Sequence, residues 1–113
     1  MLIAIVTIPT SGKRSREQAI AAGKASAPTY VGLKGLLRKD YLNGDEAGGG
    51  VYLWESREAA EAWYNEDWWP WMEERFGVRP TLTFYDHHVS VDNQAGEVRV
   101  DGEAVSLAQD AAE

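Results

Sequence analysis

Alternating and unbroken runs of apolar residues divide the chain into strands and helices. Leu2-Ile3-Ala4-Ile5-Val6-Thr7-Ile8 is nearly all apolar and stops at Pro9. Such a β-branched run predicts a strand covered on both faces. Ser15 stands three positions before Gln18, the spacing of a capping box, so a helix starts there. Its apolar stripe is Ala19, Ile20, Gly23 and Ala27, and Pro28 is expected to break it. These side chains are small, so the helix is expected to lie close against a flat surface such as a sheet.

Leu33 to Leu42 alternates, with Leu36, Arg38 and Asp40 on one side and Leu37, Lys39 and Tyr41 on the other. The turn cluster Asn43 to Gly50 and a second strand, Val51 to Glu55, complete a hairpin. Ser56 is placed to cap a helix whose inner stripe is Ala59, Ala62 and Trp63. Asp67 can cap another, with Pro70 in its first turn, where proline is tolerated. Trp68, Trp71, Met72 and Phe76 recur at helical spacing until Gly77 stops the helix. Thr81 to Val91 reads as one long final strand.

The order is β-α-β-β-α-β, the split βαβ arrangement. It predicts an α+β, ferredoxin-like fold: a four-stranded antiparallel sheet with helices on one face. The expected domain is 1–93. Residues 94–113 form an extension, with a small Asp-Gly hairpin over Val98 to Val105 and a frayed acidic tail from Leu107 to Glu113. The first and last strands carry large apolar side chains on both sides, and each would lose roughly 1.5–3 kcal/mol of burial if left in water. Pairing of the sheet with a second copy removes that exposure, so a homodimer is expected. The alternative is a monomer whose C-terminal hairpin covers the sheet.

Composition narrows the function. The chain has 113 residues, which fits one domain. A net charge of -7 leaves no basic excess for a nucleic-acid backbone or an anionic membrane surface. The absence of cysteine excludes thiol catalysis and cysteine-held metals. Leu2 to Ile8 is too short to cross a membrane and has no basic leader, so the expected compartment is the cytoplasm.

Five tryptophans and five tyrosines must be covered by packing, a partner or a ligand. Tyr30, Trp54, Trp63, Trp68, Trp71 and Phe84 are the candidates for lining a substrate cleft between helices and sheet; the plainer reading is that they are core. Trp69 is out of phase with them and is expected to be exposed or at the dimer contact. His87 and His88 are the only histidines and point to opposite faces if both lie on a strand, which disfavours a shared metal. His88 shares the phase of Phe84, so it is the first candidate for a general base, with Asp86 acting through water and His87 behind it. A histidine hydrogen-bonded at an interface is the plainer reading. Arg38, Asp40, Glu55 and Asp86 are expected to pair across strands. No metal site and no cofactor is expected.

Three segments carry a family resemblance. They are Gly35-Leu36-Leu37-Arg38-Lys39-Asp40-Tyr41, the run from Gly48 to Tyr64 with Gly-Val-Tyr-Leu-Trp-Glu-Ser at its heart, and the close from Phe84-Tyr85-Asp86 to Val91-Asp92-Asn93. They resemble the YdhR-like monooxygenases, a branch of the dimeric α+β barrel superfamily related to the antibiotic-biosynthesis monooxygenases. The resemblance spans Met1 to Asn93. It implies a sheet that pairs with its mate into a barrel, a pocket between sheet and helices, and oxygenation of polyketide-type phenols without metal or flavin. A non-catalytic dimeric binder or stress-related protein, and an isomerase or lyase, remain open.

Overall fold

A computed structural model describes residues 1–106; the expected acidic tail lies outside the described residues. The elements are β1 (Leu2–Pro9), α1 (Arg16–Tyr30), β2 (Leu36–Asn43), β3 (Ala47–Trp54), α2 (Arg57–Trp63), α3 (Trp68–Phe76) and β4 (Thr81–Asp86). Then come β5 (Val89–Asp92), β6 (Glu97–Val100) and β7 (Glu103–Val105). The first four strands form one antiparallel sheet in the order β2-β3-β1-β4. This is the ferredoxin-like α+β arrangement, with the helices on one face. The central position of β1 explains its unbroken apolar run. Leu2, Ala4, Val6 and Ile8 are buried under the helices, while Ile3, Ile5 and Thr7 are half-buried on the open face.

The capping box at Ser15 is present, with Ser15 Oγ accepting from the Gln18 N–H at 3.1 Å and Gln18 Oε1 accepting from the Ser15 N–H at 3.0 Å. Pro28 does not break α1, which runs on to Tyr30. Proline withholds one donor, but the carbonyl deprived of it belongs to Lys24, an exposed residue that water can reach. The covered stripe of α1 is Ala19, Ala22, Gly23, Ser26 and Ala27, and Ile20 lies outside it. In α2 it is Ala60 that is buried, whereas Ala62 is exposed. Asp67 precedes α3 without a side-chain capping bond, and Gly77 ends that helix in the left-handed conformation.

Two strand readings change. A bulge between Leu36 and Arg38 sets Leu36 opposite Trp54 and Arg38 opposite Leu53. Leu36 therefore shares the helix face with Lys39 and Tyr41, and Arg38 and Asp40 go to the open face, where they pair with each other at 2.9 Å. The glycines expected in a hairpin loop belong to β3. Gly49, with φ +132, sits where a Cβ would overlap the Val6 carbonyl oxygen.

The expected long final strand breaks at His87-His88. β4 stays in the main sheet and β5 opens a second, three-stranded sheet ordered β5-β6-β7, which straddles position 93. Asp101 (φ 48) and Gly102 (φ 84) supply the two left-handed residues of the tight β6–β7 turn. Cross-strand partners share a face, so Val89, Val91, Val98, Val100 and Val105 plate one side of this sheet. Ser90, Asp92, Glu97 and Arg99 occupy the other, where Arg99 bonds Asp92 at 2.9 Å and Glu97 at 2.7 Å.

The close approach of β3 to β1 yields a direct expectation. Gly49→Ala should destabilise the fold by about 2–4 kcal/mol in urea denaturation, because backbone must shift. Gly12→Ala, with open space around the position, should change stability by under about 0.5 kcal/mol.

Candidate functional site

The helix layer is filled unevenly. At one end nine rings touch in sequence: Tyr30, Tyr52, Trp54, Trp63, Tyr64, Trp68, Trp69, Trp71 and Phe84. Most meet edge to face, the arrangement their quadrupoles favour. Trp54 is wholly buried, and its Nε1–H donates to the Tyr64 hydroxyl at 3.3 Å. Trp69 packs against Trp68 at 4.8 Å and lies beneath the Arg79 guanidinium at 4.3 Å, so it is not a free surface ring.

At the other end the middle of α1 offers Ala19, Ala22, Gly23 and Ser26, and the sheet below includes Gly48 and Gly49. Small residues on both walls leave a cavity of about 240 Å³. An engineered cavity of about 150 Å³ takes benzene, so this one has room for two fused rings. Val6, Ile8, Tyr30, Tyr41, Tyr52, Met72 and Phe76 give it apolar walls. Asn43 fastens its rim, accepting from the Arg14 N–H at 3.1 Å and donating to the Arg14 carbonyl at 2.9 Å. Ser26 Oγ and Tyr41 Oη share a hydrogen bond of 2.7 Å across it.

The charged side chains lining the cavity are Arg14, Lys39 and Arg75, with no carboxylate among the described lining residues. Lys39 Nζ sits 3.5 Å from the Tyr30 ring centre, 4.1 Å from that of Tyr41 and 4.7 Å from that of Tyr52. Burial, and then repulsion from Arg75, lower its amine to about 7. The ring faces favour the ammonium and oppose that shift. Desolvation prevails, because no anion is at hand to compensate it. Burial also pushes the Tyr52 phenol well above its ordinary range, with the Tyr30 and Tyr64 phenols adding to the effect, so Tyr52 stays neutral.

Of the aromatic residues singled out from the sequence, Tyr30 lines this cavity, whereas Trp54, Trp63, Trp68, Trp71 and Phe84 belong to the ring cluster beside it. Asp86, His87 and His88 lie at the opposite end of β1: Asp86 pairs with Leu2, while Val6 and Ile8 line the cavity. At about 3.3 Å per residue that is about 13–20 Å along the strand. Because β4 ends at Asp86, the alternation that would align His88 with Phe84 stops there. His88 Nδ1 is 3.0 Å from Asp101 Oδ1 on an exposed turn, and that bond, then the neighbouring charge, holds the Asp101 carboxyl below its usual range. Asp86 faces Arg57 at 3.6 Å. His87 lines a separate, more open cleft between the two sheets, together with Met1, Arg38 and Leu53. Among the described residues no group of three or more His, Asp or Glu side chains gathers as metal ligands would. Lys39, Tyr41 and Tyr52 were missed as site residues. Their signal was a lysine two residues before a tyrosine on β2, opposite a tyrosine on β3, which also fits an ordinary exposed edge.

No protein-family model matches the chain, and no curated protein matches it in sequence. Among solved structures, the monooxygenase from the gene ActVA-Orf6 of Streptomyces coelicolor, in complex with the ligand Nanaomycin D, is similar with a TM-score of 0.60. The match covers 80% of this chain and 90% of that one at 16% sequence identity. The fold is that of this monooxygenase. Its scaffold is thus a recurring architecture. Among the described residues no helix is long and apolar enough to cross a membrane.

The amine of Lys39 makes stability depend on pH. Below about 7 folded and unfolded chains both carry the proton, and the penalty for burying the ammonium is fully present. Between there and the unfolded value of about 10.4 only the unfolded chain keeps it, so the penalty fades as pH rises. Lys39→Met should therefore stabilise by about 1 kcal/mol more at about pH 6 than at about pH 10, after allowing for solvent screening. Urea titrations of both proteins at the two pH values measure this. Trp54→Ala, by contrast, should cost about 3–5 kcal/mol at either pH.

Proposed function

We propose that the chain is a monooxygenase of the antibiotic-biosynthesis type, on the YdhR-like branch, acting without metal or flavin on an aromatic, polyketide-like molecule. The observation that carries this reading is the coincidence of a monooxygenase fold with an apolar, ring-walled cavity between sheet and helices. The solved monooxygenase holds Nanaomycin D, which makes a fused-ring molecule the natural first substrate class to test. In such a reaction an acidic C–H or O–H is lost to a base and the resulting anion passes electrons to dioxygen. For an anthrone, the methylene carbon gains a carbonyl oxygen and the second oxygen atom leaves as water. The rings exclude bulk water and keep the anion reactive. Asp86, His87 and His88 stand too far along β1 to be that base for a ligand in the cavity.

Oxygen consumption over a panel of anthrones and hydroquinones tests the reading. Uptake above the spontaneous rate, lost when Gly23→Leu fills the cavity, is the expected result. A Cβ added at Gly23 would already lie 3.8 Å from the Tyr41 ring, so a larger side chain there intrudes on the space. No uptake above background with any member of the panel would overturn it.

The working form in this proposal is a cytoplasmic homodimer. The open sheet face presents Ile3, Ile5, Val51 and Leu53, all only half-covered, and Tyr85, which is 57% exposed. A second copy laid face to face would cover them. Light scattering should give about twice the protomer mass of 12.5 kDa. Leu53→Arg should shift the protein to monomer; a wild-type monomer at micromolar concentration would sink the dimer.

A further inference from the structure

The charge of the cavity runs against the charge of the protein. The chain carries 18 acidic and 11 basic side chains, yet three of the basic ones and none of the acidic ones are among the described residues of this wall. The three come from different parts of the fold: Arg14 from the β1–α1 loop, Lys39 from β2 and Arg75 from α3. Arg75 is held over the Trp71 ring at 4.7 Å and the Phe76 ring at 5.2 Å, which fixes its side chain against the helix. Arg14 is held through its backbone by Asn43. Lys39 is the least exposed of the three and lies against the faces of Tyr30 from α1, Tyr52 from β3 and Tyr41 from its own strand. Among the described residues the charged or titratable groups facing its amine are three phenols and the Arg75 guanidinium. None of them supplies a counter-charge. A cluster of like charges with rings and small residues around it lacks one component, an anion with an apolar body.

We propose that this cavity binds aromatic organic acids as their anions, and that Lys39 accepts a proton as the anion enters, becoming the ammonium that pairs with it. The inference rests on the cavity being the substrate site and extends that reading to a ligand class and a proton acceptor. Two arrivals are then distinguished. An acid already ionised in solution brings no proton, so Lys39 takes one from the solvent. A weakly acidic phenol or enol arrives protonated and hands its own proton to Lys39 Nζ, leaving the oxyanion beside the ammonium. No proton is gained or lost overall in the second case. The Arg75 and Arg14 guanidiniums, charged throughout, draw the anion in and orient it. The lowered amine fits this role, because a lysine that is largely neutral just above pH 7 can act as acceptor.

The test is calorimetric titration of the full chain with alpha-naphthoate and with its neutral isostere alpha-naphthamide, in buffers of different ionisation enthalpy. At about pH 8, naphthoate binding should take up close to one proton per site, and at about pH 6 close to none. The amide should bind at least about tenfold more weakly, with no proton uptake at either pH. Lys39→Met should abolish the uptake and remove most of the preference for the acid. If that variant does not fold by circular dichroism, the wild-type proton count and the acid-to-amide ratio still decide. Naphthoate binding without proton uptake at about pH 8, equal affinity for the amide, or no binding of naphthoate each overturns the inference. Neither probe depends on oxygen chemistry. Proton-linked binding without any oxygen uptake from the anthrone panel would sink the oxygenase reading alone.

Discussion

The indole of Trp54 has no exposed surface, and the helix layer is arranged around it. Tyr52 stacks along its plane at 6.4 Å and Tyr64 meets its face edge-on at 5.6 Å while receiving its N–H bond. Around this group Trp63 and Trp68 are packed with their Nε1 atoms buried and without a hydrogen-bond partner in the structure. An unpaired buried donor costs about 1–3 kcal/mol. A ring that removes 150–250 Å² from water gains about 4–6 kcal/mol at 25 cal/mol per Å², so ring packing outweighs the lost bonds. The ring cluster can tolerate this because α2 and α3 are short and follow β3 directly, placing four tryptophans within one helix layer.

That concentration of volume explains the cavity. Large rings fill the space between α2, α3 and the sheet at one end, while α1 brings mostly small side chains to the other. The two ends cannot both close. Gly48 and Gly49 lower the floor further, and Gly49 is obligatory because β1 and β3 come too close there for a side chain. A lysine stem extending from β2 enters the space that remains, and its ammonium meets tyrosine faces instead of water. Lys39 is thus a consequence of packing as much as of charge. In a chain of net charge -7, the absence of any carboxylate from the described residues of the wall is the feature on which the proposed anion site rests.

The outer surfaces follow a second constraint, the need to cover apolar strands. The open face of the main sheet is apolar along β1 and β3 and polar at β2, where Arg38 and Asp40 pair. The second sheet turns its ion triad of Asp92, Glu97 and Arg99 to one side and its valines to the other. Val89 and Val91 remain 62% and 68% exposed. Among the described residues two faces of one small chain thus keep exposed apolar side chains.

The sequence by itself determined the order of elements, the central apolar strand, the capping box at Ser15 and the α+β class. Each of these rests on local periodicity or on a few neighbouring residues, which is information the chain carries in one dimension. It also placed an aromatic cluster near the helices and left open whether its rings line a cleft or fill the core. It did not show which rings would be filled core and which would line space, because that depends on how much volume facing elements supply. The tertiary structure alone decided this. It placed the bulge after Leu36, which turned Lys39 and Tyr41 toward the helices together with Leu36. It ended β4 at Asp86, which sent His88 to an exposed turn beside Asp101. A one-residue bulge shifts the face of every residue after it, and an early strand end stops the alternation altogether, and neither can be placed from periodicity alone. The lining of the candidate cavity therefore includes the lysine and not the histidines, although the strands around both were legible from the start.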